Sequence, residues 1–256
     1  MLRTIGARAL LGRLEELAAS VPSKAIAFDG DGTLWSGDVG EDIFHHALRE
    51  RLLKAEALPA LRAAATRHAL SSDGDANDVA RRIFDAYVAG KFPEREVCSV
   101  MTWCYAGFSA ADFADYCRHV LSAQGIGERL HRELEPVLDW CRSARIRLVV
   151  VSASPRGAVE AAAGLWGFTS KDVAASTPLE QGGQIAAGTQ GEVPYAEAKV
   201  GAARGLFGDS DWLASFGDNV FDVEMLQAAR IGIAVRPKVG LRTRLPELEN
   251  VHLLEG

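Results

Sequence analysis

The stretch Ile146-Arg-Leu-Val-Val-Val151 constrains this chain more than any other, because it is nearly continuous in aliphatic, mostly β-branched residues. A strand with one wet face alternates apolar and polar residues. An unbroken run belongs to a strand covered on both faces, as inside a parallel sheet. Lys24-Ala-Ile-Ala-Phe28 reads as a second such strand, with two more at Trp212–Phe216 and Ile231–Val235 and a weaker one at Val173–Ser176. Helical patterns fall between them, from Pro155 to about Gly164, from about 195 to 207, and over 220–229. Strands and helices alternating at this spacing predict an α/β fold, a doubly wound parallel sheet of Rossmann-like form. Residues 178–194, which contain Gly182-Gly183, predict a hairpin or flap.

Between the first strand and the rest, from about residue 38 to 145, only helical patterns occur. The clearest covers 110–123, where Phe113, Tyr116, Cys117, Val120 and Leu121 fall on one face. Ser109 with Asp112 resembles a capping box at its start. An earlier helix over 7–19 carries Leu10, Leu11, Leu14 and Leu17 and stops near Pro22. The expected organisation is a Rossmann-like core of residues 1–37 and 140–256, interrupted by an all-helical inserted domain over 38–139. A chain of 256 residues buries about 72% of its surface on folding, enough for a core without disulfide or metal staples.

Lys plus Arg number 28 against 34 for Asp plus Glu, a net charge of −6 that offers no general field for nucleic acid. No run approaches the ~18 apolar residues of a membrane span, so no membrane partner is expected. Cys98, Cys104, Cys117 and Cys141 form no C-x-x-C pair and have no ligand-spaced His, which predicts free thiols in a reducing compartment. Arg8, Arg13, Glu15 and Glu16 break any apolar leader segment, so the expected location is cytoplasmic.

Four segments at predicted strand ends carry chemistry. Asp29-Gly-Asp-Gly-Thr33 sets two carboxylates two residues apart where open parallel sheets bind ligands. Such a pair repels itself unless a cation or shared proton compensates, although Asp and Gly are also ordinary turn residues. In Val151-Ser-Ala-Ser-Pro155, Ser154 is placed to cap a helix that opens on Pro155, which leaves Ser152 to contact an anion. Lys199 falls in the first turn of a helix opening near Pro194, where the dipole disfavours a cation unless it faces negative charge. Asp218 and Asp222 lie i, i+4 at a strand-to-helix junction, as a shared acid pair or as a cap and a first-turn acid. Together they supply a nucleophilic acid, an anion pocket, a cation and oxygen ligands suited to a hard ion such as Mg²⁺.

The order D-x-D-G-T, a strand ending in Ser, Lys, then G-D-N-x-x-D resembles the haloacid dehalogenase superfamily, in particular its phosphatases. The helical block after the first motif is similar to the cap of the phosphoserine phosphatase-like branch. The resemblance implies an Mg²⁺-dependent phosphatase for a small phosphorylated metabolite, working through an aspartyl-phosphate. It implies Asp29 as nucleophile and Asp31 as general acid and base. Thr33, Ser152 and backbone N–H groups near Ala153 would hold the phosphoryl oxygens, and Lys199 would orient Asp29. Mg²⁺ would be bound by Asp29, the Asp31 carbonyl and Asp218, with Asp222 in support. The second Asp of the first motif is absent from the true haloacid dehalogenases, so Asp31 implies phosphate rather than halide chemistry.

Some positions depart from the branch. Gly32 stands where D-x-D-S-T is usual, and Ser152-Ala153-Ser154 where S-G-G is usual. A substrate-reading Glu nine residues after the nucleophile corresponds here to Asp38. Asp38, Glu41 and Asp42 are candidates for holding an amino group of the substrate, or form a solvated helix start. His45 and His46 are adjacent, hence about 100° apart on a helix and no chelating pair. Trp103, Tyr105 and Phe108 line a pocket roof or, as favoured here, pack the inserted block on the core. Two other readings stay open: a catalytically silent phospho-ligand binding protein on the same fold, and a phosphotransferase to an alcohol acceptor.

Overall fold

Residues 25–28 show how both faces of the sheet are covered. Ile26 and Phe28 point into one hydrophobic cluster, while Ala25 and Ala27 point into another on the opposite side. The same alternation holds in the 146–151 run, with Val150 on the first side and Val149 and Val151 on the second. Two-sided burial is what removes the polar alternation from these strands. Phe28 stacks on Phe216 of the neighbouring strand at 4.5 Å between ring centroids.

The computed structural model describes residues 2–255. The chain opens with β1 (Thr4–Gly6), α1 (Ala7–Ala19) and β2 (Lys24–Asp29). Five helices follow: α2 (Val39–Arg49), α3 (Leu58–Arg67), α4 (Ala76–Val88), α5 (Glu94–Trp103) and α6 (Ala110–Ala123). Then come α7 (Glu135–Ser143), β3 (Arg147–Pro155), α8 (Arg156–Ala163) and β4 (Val173–Ser176). A two-stranded antiparallel hairpin, β5 (Pro178–Gln181) and β6 (Gln184–Thr189), precedes α9 (Ala198–Phe207) and β7 (Asp211–Gly217). The chain closes with α10 (Val223–Ala228), β8 (Ile231–Ala234), α11 (Val239–Arg244) and β9 (Val251–Glu255).

All pairings in the seven-stranded sheet are parallel, in the order β1-β9-β8-β7-β2-β3-β4. This is the expected doubly wound α/β sheet. β2 is followed in sequence by its neighbour on one side, β3, and later by its neighbour on the other, β7. That reversal creates the crevice in which such sheets hold ligands. Helices α1 and α7 contribute to one face and α9 and α10 to the other. No helix among the described residues is long and apolar enough to cross a membrane.

Three elements lie outside the sequence expectation. The sheet continues past Val235 through α11 and β9, and β1 pairs with β9 at the edge. These pieces are short and only partly buried, so they lack the continuous apolar run that marks the central strands. A correction applies to Ser154 and Pro155. β3 runs on through Pro155 after a register break, the helix begins at Arg156, and no side chain among the described residues caps it. At α6 only half of the expected box forms, with Ser109 Oγ accepting from the Asp112 N–H.

Helices α2–α6 fill the connection between β2 and β3, and the hairpin packs with them. Ile185 exchanges two backbone hydrogen bonds with this block, through Gly107 N–H (2.9 Å) and the Phe108 carbonyl (2.8 Å). Trp103, Tyr105 and Phe108 pack within or against the same hydrophobic cluster. The first turn of α2 is seated against the end of β3. A Cβ on Gly40 would lie 2.9 Å from both Pro155 Cδ and Ser154 Oγ. The serine hydroxyl rotates away easily but the proline ring does not. Gly40→Ala is therefore expected to cost about 1–3 kcal/mol, the usual range for overpacking. The check is a lower urea midpoint with an unchanged m-value.

Candidate active site

Asp29 is the last residue of β2 and is only 5% exposed. Both of its oxygens are held. Oδ1 accepts from Lys199 Nζ at 2.6 Å, and Oδ2 accepts from Thr33 Oγ1 at 3.2 Å. Lys199 is the second residue of α9, and its ammonium also donates to Asp222 Oδ1 at 2.5 Å. Asp222 is fully buried. Its other oxygen accepts from the backbone N–H groups of Asp218 (3.1 Å) and Asn219 (2.9 Å), which fixes the loop after β7. Asn219, rather than Asp218, is the cap of the short turn over Val220–Asp222.

Asp218 meets Lys238, whose Nζ lies 3.1 Å from Oδ2 and whose backbone N–H donates to the Asp218 carbonyl at 2.8 Å. Gly32 lets Asp218 approach the loop after β2. Its φ of +81° is left-handed, and a Cβ there would sit 2.1 Å from Asp218 Oδ2. An oxygen from each of Asp29, Asp218 and Asp222 falls within 4.8 Å of the others.

Crowding perturbs these groups. Burial, then the charges of Asp222 and Asp218, raise the pKa of Asp29 well above the carboxylate range, against the pull of Lys199. Burial and Asp222 push Asp218 up to about 6, opposed by Lys238 and Lys199. Burial alone would lower Lys199, but Asp222 and Asp29 overcome it and raise its pKa, so the ammonium stays charged. Three buried carboxylates around one buried ammonium remain short of positive charge. The all-oxygen donor set fits a hard divalent ion such as Mg²⁺.

The cavity above the sheet has a volume of about 520 Å³. It brings together most of the residues singled out by sequence: Asp29, Asp31, Ser152, Ala153, Lys199, Asp218 and Asp222 all line it. Thr33 is fully buried, with its hydroxyl turned to Asp29. Ser154, expected as a helix cap, donates its hydroxyl to Asp31 Oδ2 at 2.7 Å. Ser152, expected to be free for an anion, accepts from the Ser154 N–H at 3.1 Å and lies 3.4 Å from the same Asp31 oxygen. Asp31 Oδ1 accepts from Trp35 Nε1 (2.8 Å) and the Val39 N–H (2.7 Å), which ties the first motif to the start of α2.

The three acids of the inserted block separate. Asp38 is the N-cap of α2, accepting from the Glu41 N–H, and lines the cavity beside Glu41. Asp42 is paired with Arg129 at 2.6 Å instead. His46 meets the Tyr116 hydroxyl at 3.2 Å, while His45 packs edge-on against Phe84. Tyr87, Glu94, Tyr195, Phe221 and Lys238 also line the cavity and were missed by sequence reasoning. Lys238 had a signal, since it follows the carboxyl end of a parallel strand. Glu94 had none, because an acid opening a helix is ordinary dipole chemistry.

A family model described as haloacid dehalogenase-like hydrolase matches residues 26–227. No curated protein matches the chain. Among solved structures, a protein of unknown function from Bordetella pertussis Tohama I aligns with a TM-score of 0.67 at 20% identity, over 91% of this chain and 98% of that one. Cytosolic 5'-nucleotidase IIIB bound to cytidine aligns at 0.58 and 12% identity, over 95% and 84%. A phospho-aspartyl intermediate analogue of phosphoserine phosphatase aligns at 0.50 and 16%, over 91% and 94%. At these identities the likeness is one of fold.

The carboxylate cluster is expected to make stability depend on pH and on added divalent cation. With its pKa at about 6, folded Asp218 holds more protons than the unfolded chain between the ordinary carboxylate range and pH 6, so stability falls as pH rises through that window. The cost persists above it unless a cation binds. Mg²⁺ is expected to raise Tm at pH 7.5 and to have little effect at pH 5. Asp218→Asn should raise the metal-free Tm at pH 7.5 and remove the Mg²⁺ increment; thermal melts at the two pH values check both.

Proposed function

The chain belongs to the haloacid dehalogenase-like hydrolase family, and from that premise we propose that it is an Mg²⁺-dependent phosphomonoester hydrolase using Asp29 as nucleophile. The observation that carries this reading is the Asp29 carboxylate itself. It stands at a strand end, desolvated and held by Lys199 and Thr33, at the floor of a cavity large enough for a small phosphorylated metabolite.

In this reading an oxygen of Asp29 attacks phosphorus, the bond to the alcohol oxygen breaks, and Asp31 supplies the proton that the leaving alkoxide takes up. Water then attacks the aspartyl-phosphate, passes its proton to Asp31, and inorganic phosphate leaves with Asp29 regenerated. Lys199 holds the nucleophile in place and Asp222 holds Lys199. Thr33 fixes the second oxygen of Asp29, so its role is to orient the carboxylate. Ser152 and Ala153 form the wall where the phosphoryl oxygens would rest. Asp29, Asp218 and the Asp31 carbonyl would hold Mg²⁺, which when bound offsets the negative charge between the phosphate and the attacking carboxylate. Asp222 supports that set through the Asp218 N–H. Residues 38–139 act as a cap over a core made of 1–37 and 140–256, closing the site from bulk water.

Asp29→Asn is expected to lower phosphate release by about 10⁴-fold or more, and Asp31→Asn by about 10²–10⁴-fold. A phosphomonoester panel with and without Mg²⁺, alongside circular dichroism of each variant, checks this. Undiminished turnover in a folded Asp29→Asn protein overturns the assignment. Binding without release by the native protein points to a silent binding protein, and phosphate found on an added alcohol points to a transferase.

A further inference from the structure

We propose that the alcohol released from the substrate carries an amine, held as an ammonium between Glu41 and Glu94 in the wall of the cavity; this rests on the phosphomonoester reading above. The charge lining the cavity is lopsided. Seven carboxylates face it against two ammonium groups, with no arginine or histidine among the described lining residues. Both ammonium groups are committed at the sheet end, Lys199 to Asp29 and Asp222, and Lys238 to Asp218. Away from the sheet, Asp38 accepts from the Glu41 N–H and Asp31 accepts from four donors. The Glu41 and Glu94 carboxylates have no hydrogen-bond or ion-pair partner among the described residues.

These two acids sit on different helices that pack together, Glu41 in the first turn of α2 and Glu94 at the start of α5. A solvated first-turn acid would account for either one alone. Both, however, are partly buried and turned into the same cavity as Asp29. Tyr87, from the end of α4, lines the same cavity; burial first, then Glu94 and Glu41, raise its pKa. Burial likewise raises Glu94, with Glu41 adding to it, and Lys238 only partly offsets the shift. Glu41 is raised by burial too, against the fields of His45 and Lys238. Unpaired carboxylates in such a place lack a counter-charge that an ammonium would supply.

The same geometry argues against a leaving group with a carboxylate. It would meet Glu41 and Glu94, with Lys199 already bonded to Asp29 and Asp222 and only Lys238 left to offset them. The chemistry points to phosphates of amino alcohols rather than of hydroxy acids or amino acids. The wall separates leaving groups by charge.

The test compares two- to four-carbon aminoalkyl phosphates with alkyl phosphates of equal length and with phosphoglycolate. For the native protein, kcat/KM is expected to favour the best amine over its alkyl counterpart by at least tenfold, with phosphoglycolate below both. Glu41→Gln and Glu94→Gln should each reduce that ratio at least threefold, and Glu94→Lys should raise phosphoglycolate relative to the amine. Because the ratio is internal to each variant, a general loss of activity leaves it readable. Calorimetric binding of the same ligands to Asp29→Asn gives a second readout that needs no turnover. Turnover without amine preference sinks this inference and keeps the phosphatase. Amine-selective binding without turnover by the native protein does the reverse. Absence of both binding and turnover across the series overturns the two together.

Discussion

The contact on which the rest of this structure depends is the Lys199 ammonium, bonded at once to Asp29 and Asp222 and almost wholly buried with them. A buried charge is tolerated only when paired, and removing one partner leaves the others uncompensated. The lysine stands in the first turn of α9, where the helix dipole opposes a cation by ~0.3–1 kcal/mol. Two direct ion pairs in a dry setting overcome that small penalty. Through this one group the end of β2, the start of α9 and the turn after β7 are fastened to a common point.

Register explains why the point is common. β2 lies between β7 and β3, with Phe28 opposite Phe216 and Asp29 opposite Val151. β2 and β7 therefore finish level while β3 runs on through Ser152–Pro155 beside them, and what lies at these three strand ends is delivered to the same crevice. The aliphatic and aromatic side chains that alternate between the two faces hold that register, since a slip of one residue would exchange the faces. Packing far from the cavity thus sets the position of the carboxylates within it.

The cavity is divided by charge between its two sides. Its cations belong to the sheet end, where Lys199 and Lys238 balance part of an acid cluster that still suits a divalent ion. Its unpaired carboxylates belong to the helices inserted between β2 and β3. The two sides are joined by Asp31, which accepts from Trp35, from the α2 backbone and from the serines at the end of β3. Gly40 lets α2 approach β3 closely enough for this to happen.

The central strands, the helical insertion and the acids and lysine at the strand ends were legible in the sequence. Each leaves a local signature: continuous apolar runs, helical periodicity, or charged residues at the carboxyl end of a strand. The last two strands on one side of the sheet, β9 and the edge strand β1, were not legible, because short half-buried segments carry no periodic signal. The orientation of Ser152, Ser154 and Thr33 was also hidden, since a hydroxyl has several nearby acceptors and its choice depends on neighbours from distant segments. Glu94 and Tyr87 look like an ordinary helix start and an ordinary helix end until three helices fold together. Sequence alone determined which chemical groups the strand ends would carry, because the backbone period and local composition dictate them. Only the tertiary structure decided which of those groups meet and which are left without a partner, because pairing and burial depend on long-range packing that no local pattern encodes.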